Sequence, residues 1–156
     1  VESIRDIDLG GGGLAGGPWG ATLVTVEGQR LSLNDIEHRI IRPIWQDPRI
    51  HYAVNCAAIG CPNLAASPWT GRDIDARLDA AARAFVNNPR GVSFRRNGAH
   101  VSRIYDWFVE DFGGDEEGVL DHLVRYAQPE LAARLQNEGR IAGQFYDWRL
   151  NDATGL

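Results

Sequence analysis

Apolar residues recur along the chain at two spacings, and these mark out its elements. Leu33, Ile36, Ile40, Ile41 and Ile44 step by three and four, which predicts a helix over 33–45, bent before Pro43. Ser32 suits its N-cap and Asp35 its first turn, where a carboxylate meets the positive end of the helix. Ile74, Leu78, Ala81, Ala82 and Phe85 build the apolar face of a second helix over 73–87, and helices at about 103–112, 116–126 and 129–137 follow. Alternation marks the strands. Ile50, Tyr52 and Val54 fall on one face and His51, Ala53 and Asn55 on the other, which predicts a strand over 50–55. Further strands are expected at 21–26, at 92–96 and 99–102 around the turn dipeptide Asn97-Gly98, and at 144–150. Helices and strands do not alternate as repeated βαβ units. The expected fold class is therefore α+β, a small, mostly antiparallel sheet covered by the helices at 33–45 and 73–87.

Composition narrows the function classes. The 156 residues, 44% apolar, fit one domain over 1–156 with a real core. Apolar runs stay far below the ~18 residues of a bilayer crossing, so no membrane span is expected. A net charge of −5 argues against a nucleic-acid partner, which needs clustered positive charge. Residues 1–20 carry the glycine-rich run Gly10 to Gly20 and are expected to be mobile. This run lacks the Gly-Lys-Ser/Thr ending of a phosphate loop. Position 1 is Val and the sequence has no Met, from which an earlier natural start, and thus a missing N-terminal piece, is expected.

Chemistry converges on 51–62, His-Tyr-Ala-Val-Asn-Cys-Ala-Ala-Ile-Gly-Cys-Pro. Cys56 follows the expected strand. If 57–60 opened with a helical turn, its free N–H groups would favour the thiolate, and an imidazole would act as general base. His38, His51, His100 and His122 are the candidate imidazoles. On a strand, His51 and Cys56 tend to opposite faces, which favours His38 as base. Glu37 and His38 point about 100° apart on a helix, so Asp35, three residues before His38, is better placed to orient it. His100 is expected near the surface and His122 in solvent on a charged late helix. The bland alternative stands beside this: Cys56 as a packed small hydrophobe, or Cys56 and Cys61 as one disulfide that silences the nucleophile. Cys-x4-Cys is poor zinc spacing, so no metal is expected, and no cofactor.

The strings 31–38 (Leu-Ser-Leu-Asn-Asp-Ile-Glu-His), 47–62, 101–112 and Tyr146 to Asn151 together resemble the domain-of-unknown-function family 547. That resemblance covers most of the chain. The helical stretch bearing a Trp-Ile-Asn-x-Tyr-Asn-like motif with which the family usually begins is not in this sequence. The resemblance implies papain-like or transglutaminase-like thiol chemistry, with Cys56 as nucleophile, His38 as base and Glu37 or His51 in support. It implies a bacterial, periplasmic or secreted setting. Two functions follow as expectations: a cysteine-dependent hydrolase or acyl transferase acting on an amide or thioester of a small-molecule or peptide substrate, its oxyanion held by N–H groups of 57–60, or a non-catalytic binding domain with a Cys56–Cys61 disulfide.

Overall fold

A computed structural model describes Glu2, Asp6 and residues 19–151; the glycine-rich run up to Pro18 lies outside the described residues. The fold is α+β. Among the described residues it has five α-helices, two short 3-10 turns, a π-helical segment and two small, mostly antiparallel sheets. Strands β1 (Thr22–Val26) and β2 (Gln29–Ser32) pair with each other as a hairpin turning at Glu27-Gly28. The second sheet has the order β3 (Val92–Arg95), β4 (Gly98–Ser102), β5 (Ile141–Phe145). β3 and β4 form the antiparallel hairpin predicted around Asn97-Gly98, whereas β5 runs parallel to β4. None of the described helices is long and apolar enough to cross a membrane.

The core lies between this sheet and helices α2 (Ile74–Val86), α4 (Glu116–Tyr126) and α5 (Pro129–Glu138). Phe85, Val86, Val101, Tyr105, Leu123 and Leu135 are buried there. The predicted spacing of α2 is realised, with Leu78, Ala82, Phe85 and Val86 as its buried residues. Helix α3 (Ile104–Trp107) and the 3-10 turn Val109–Phe112 together occupy the predicted 103–112.

Three expectations are corrected. The helix expected over 33–45 is mostly a π-helix, Asp35–Ile41, continued by the single α-turn α1 (Arg42–Trp45). Ser32 and Asp35 still close its start reciprocally: the Ser32 hydroxyl accepts from the Asp35 N–H at 3.0 Å, and the Asp35 carboxylate accepts from the Ser32 N–H at 3.0 Å. Residues 50–55 are not a strand. Pro48–Tyr52 is a 3-10 turn whose cap, Asp47, accepts from the Arg49 N–H, and Ile50, His51 and Tyr52 are all buried, which a strand could not do on one face. An Asp cap followed by Pro at the first helical position is a start signal as much as a break, and here it starts the turn. The last strand begins at Ile141 and ends at Phe145, so 146–150 serve another purpose.

His100 and His122 are both 8% exposed, against the expectation of surface positions. His122 shares its helix face with Val119, Leu123 and Tyr126, all buried, and its Nε2 lies 2.7 Å from the Tyr52 hydroxyl. His100 packs its ring where a Cβ on Gly143 would come within 2.7 Å of its Cε1, so β5 needs glycine at that point.

Candidate functional site

The segment that follows Tyr52 has no regular structure until α2, yet its backbone is committed. Residues 57–60 lie against 147–151. Ala58 bridges Leu150, the Ile59 N–H donates to the Arg149 carbonyl and the Gly60 N–H to the Asp147 carbonyl, both at 2.8 Å. A Cβ on Gly60 would stand 2.9 Å from the Asp147 nitrogen, so the close approach requires glycine. The Asn55 side chain spans the loop, accepting from the Ala57 N–H at 2.7 Å and donating to the Pro62 carbonyl at 2.7 Å. From outside, Arg90 donates to the Ile59 and Cys61 carbonyls at 3.0 and 3.1 Å.

Within this loop Cys56 and Cys61 form a disulfide, with Cα atoms 6.3 Å apart. The Cys56 N–H lies 3.0 Å from the Cys61 sulfur, and the Tyr146 hydroxyl lies 3.1 Å from each sulfur. Burial pushes the Tyr146 hydroxyl pKa up, so that group stays protonated beside the sulfurs. The turn after Cys56 is not helical: Ala57 takes φ +64°, in the left-handed region. The Ala57, Ile59 and Gly60 N–H groups, expected to face the sulfur or an oxyanion, have partners on the Asn55 side chain and on 147–149 instead.

The disulfide forms part of the wall of a cavity of about 260 Å³. Four predicted site residues, Glu37, His38, His51 and Cys56, line this one cavity. Apolar and aromatic side chains dominate the rest of its wall, among them Ile36, Ile41, Trp107, Phe108 and Trp148. Trp107, Tyr146 and Trp148 pack as a cluster with centroids 4.6 to 5.3 Å apart. The wide turns of the π-helix bring Glu37, His38 and Ile41 to this wall together.

His38 is half-buried, its Nδ1 3.3 Å from Arg42 Nη1 and 3.8 Å from Glu37 Oε1, the latter longer than a hydrogen bond. Asp35 does not orient it; that carboxylate is held by Ser32 and by Arg39 at 2.9 Å. Burial pushes the Glu37 carboxyl pKa up, against the pull of His38 and Arg42. His51 is 1% exposed and stacks on Phe108 with centroids 4.1 Å apart. Its Nε2 lies 2.7 Å from Asp111 Oδ2, and Arg42 grips the same carboxylate at 2.6 and 3.1 Å. Burial lowers the His51 pKa to about 4, with Asp111 opposing, so the ring is neutral near pH 7. Burial also opposes ionisation of Asp111, but the hydrogen bonds from Arg42 and His51 outweigh it and hold the carboxyl below its usual range.

Sequence reading gave Asp111 no role at this site and noted Tyr146 only within an aromatic-polar pattern. Asp111 stands 60 residues from His51 and has no spacing relation to it. Tyr146 sits in Tyr-Asp-Trp, an aromatic-polar pattern that core anchors share.

No curated protein and no solved structure matches the chain. Residues 18–86 match the model of a family described as protein of unknown function, DUF547. The matched stretch contains the β1–β2 hairpin, the π-helix with Glu37 and His38, the turn with His51, the disulfide loop and α2. Through that stretch the chain is similar to DUF547.

Proposed function

We propose that this chain is a non-catalytic binding domain whose cavity takes a small apolar or aromatic group, presented by a small molecule or by a peptide side chain. The observation that carries this reading is the disulfide in the cavity wall. A disulfide sulfur has no thiolate to attack with. The loop's N–H groups are spent on Asn55 and on 147–149, which leaves little to hold an oxyanion there. Apolar and aromatic walls with a few polar groups suit a ligand site. At about 260 Å³ the cavity favours a group no larger than one or two rings.

Thiol counting on unfolded protein, with and without reductant, tests the premise. No free thiol before reduction and two after it supports the disulfide; two free thiols throughout would sink it. Under this reading Cys56→Ala and Cys61→Ala weaken binding of an aromatic probe alike, because each removes the same covalent closure.

A second reading has its own observation in favour: Glu37, His38 and His51 line the same cavity as Cys56. In the reduced protein, Cys56 would attack an amide or thioester carbonyl, passing its proton through His38 to the leaving amine or thiol, and water would release the acid. That reading predicts fast alkylation of one thiol near neutral pH, slowed in His38→Ala, with Cys61→Ala nearly silent. Equal, slow alkylation of both thiols would exclude it.

A further inference from the structure

We infer that the group held in the cavity carries one uncharged hydrogen-bond donor, an amide or indole N–H or a hydroxyl, and that His51 Nδ1 accepts it. This inference rests on the binding-domain reading and specifies its ligand.

The tautomer of His51 follows from its neighbours. Asp111 is ionised and accepts only, and its Oδ2 lies 2.7 Å from Nε2, so Nε2 carries the proton. Arg42 also holds the carboxylate, at 2.6 Å on the same Oδ2 and 3.1 Å on Oδ1, which fixes where it points. The neutral ring then has a bare lone pair on Nδ1. That atom is buried and has no hydrogen-bond partner among the described residues. Buried acceptors are almost always satisfied, and one left open on a residue lining a cavity calls for a donor from a ligand.

The charge of the ligand follows from what else is committed. Among the described residues an anion finds no open cationic donor beside this ring, because Arg42 Nε and Nη2 and the His51 Nε2 proton serve Asp111 and Arg42 Nη1 faces His38 Nδ1. A cation at Nδ1 would meet Arg42, whose guanidinium lies 4.9 Å from the centre of the Phe108 ring on which His51 stacks. A fully apolar group would fill the cavity and leave Nδ1 unpaired. A neutral donor on an aromatic or apolar frame meets all three conditions.

Toluene, p-cresol and 4-methylbenzylamine separate these classes on one ring frame. Their affinities for the oxidised, wild-type chain are read by NMR titration, together with the ¹⁵N shift of His51 Nδ1. The expected result is p-cresol binding on the order of tenfold tighter than toluene, one neutral hydrogen bond's worth, and tighter than the amine. The Nδ1 resonance starts at the position of an unprotonated nitrogen and moves upfield with p-cresol alone. In His51→Phe, which keeps a ring on Phe108, the p-cresol to toluene ratio falls to about one. Equal affinities in the wild type, a preference for the amine, or a resting tautomer protonated at Nδ1 would overturn the inference while the binding reading stands. If none of the three probes perturbs the cavity resonances, both fall. The wild-type measurements decide the matter even if the variant fails to fold.

Discussion

His51 and His122 occupy two regions that are alike in burial and opposite in design. Each ring is almost fully enclosed, each is stacked among aromatic side chains, and burial lowers the pKa of each to about 4. Around His122 the contacts are with hydroxyls: Nε2 meets the Tyr52 hydroxyl, which in turn lies 3.2 Å from that of Tyr105. Around His51 the accounts are left open, with an ion pair behind the ring and an unpaired nitrogen on it. A buried polar group tied into neutral partners belongs to the core and specifies packing. One braced by a charged pair beside a cavity is, on the binding reading proposed above, arranged for something outside the chain. Burial alone therefore does not distinguish these two rings; their partner sets do.

The largest test of this comparison is acidification. Both rings have folded pKa values of about 4 against 6.5 for a free ring, so the unfolded chain binds more protons between those limits. Stability is then full above pH 6.5, falls as pH drops through the window and levels off, for these two groups, below about 4. Each ring contributes roughly 3 kcal/mol over the whole window. Urea unfolding from pH 7.5 to 4 measures the slope, and His122→Phe and His51→Phe should each remove about half of it. A flat profile would mean that the rings are hydrated or charged in the folded protein.

The disulfide separates the two regions next. Cys56→Ala and Cys61→Ala should each cost about 2 kcal/mol or somewhat less for so short a loop. Their chemical-shift changes should gather at His51, Trp107 and Tyr146 and leave His122 where it was. Changes spread equally to α4 would show that cavity and core are one unit.

At pH 7, His122→Phe leaves the Tyr52 hydroxyl with one partner fewer and should cost on the order of 1–2 kcal/mol. His51→Phe leaves Asp111, still partly exposed, with Arg42, and should cost under about 1 kcal/mol. The reverse order would break the comparison. The smallest effect is expected at Ala57, whose φ of +64° glycine adopts without strain. Ala57→Gly should stabilise by about 0.5–1 kcal/mol, once the added chain entropy is subtracted.

The half of the chain around His122 was legible in sequence because its elements are regular. α2, α4, α5 and the β3–β4 hairpin fall where their spacing and turn residues place them. The burial of His122, expected in solvent, was missed although it shares one helical face with Val119, Leu123 and Tyr126. The cavity half was legible as a set of residues but not as a geometry. Glu37, His38, His51 and Cys56 do meet at one cavity, yet by a π-helix and a 3-10 turn that simple periodicity does not describe. The alternation of 50–55 was accidental: Pro48 and the Asp47 cap turn the chain, and tertiary burial takes three consecutive residues. Asp111 and Tyr146 reach the site across 60 and 90 residues, a distance over which no local pattern carries information.

The pairing of 57–60 with 147–151 also sets a schedule. The hairpin β3–β4 and the α4–α5 pair need only short chain closures, whereas the Tyr146 hydroxyl reaches Cys56 over 90 residues. Closing so long a loop costs entropy before its contacts repay it, so this wall should be absent from the folding transition state. Gly60→Ala, which drives a methyl onto the Asp147 backbone, then speeds unfolding and leaves the folding rate nearly unchanged. The cavity would be the last part of the molecule to assemble and the first to open.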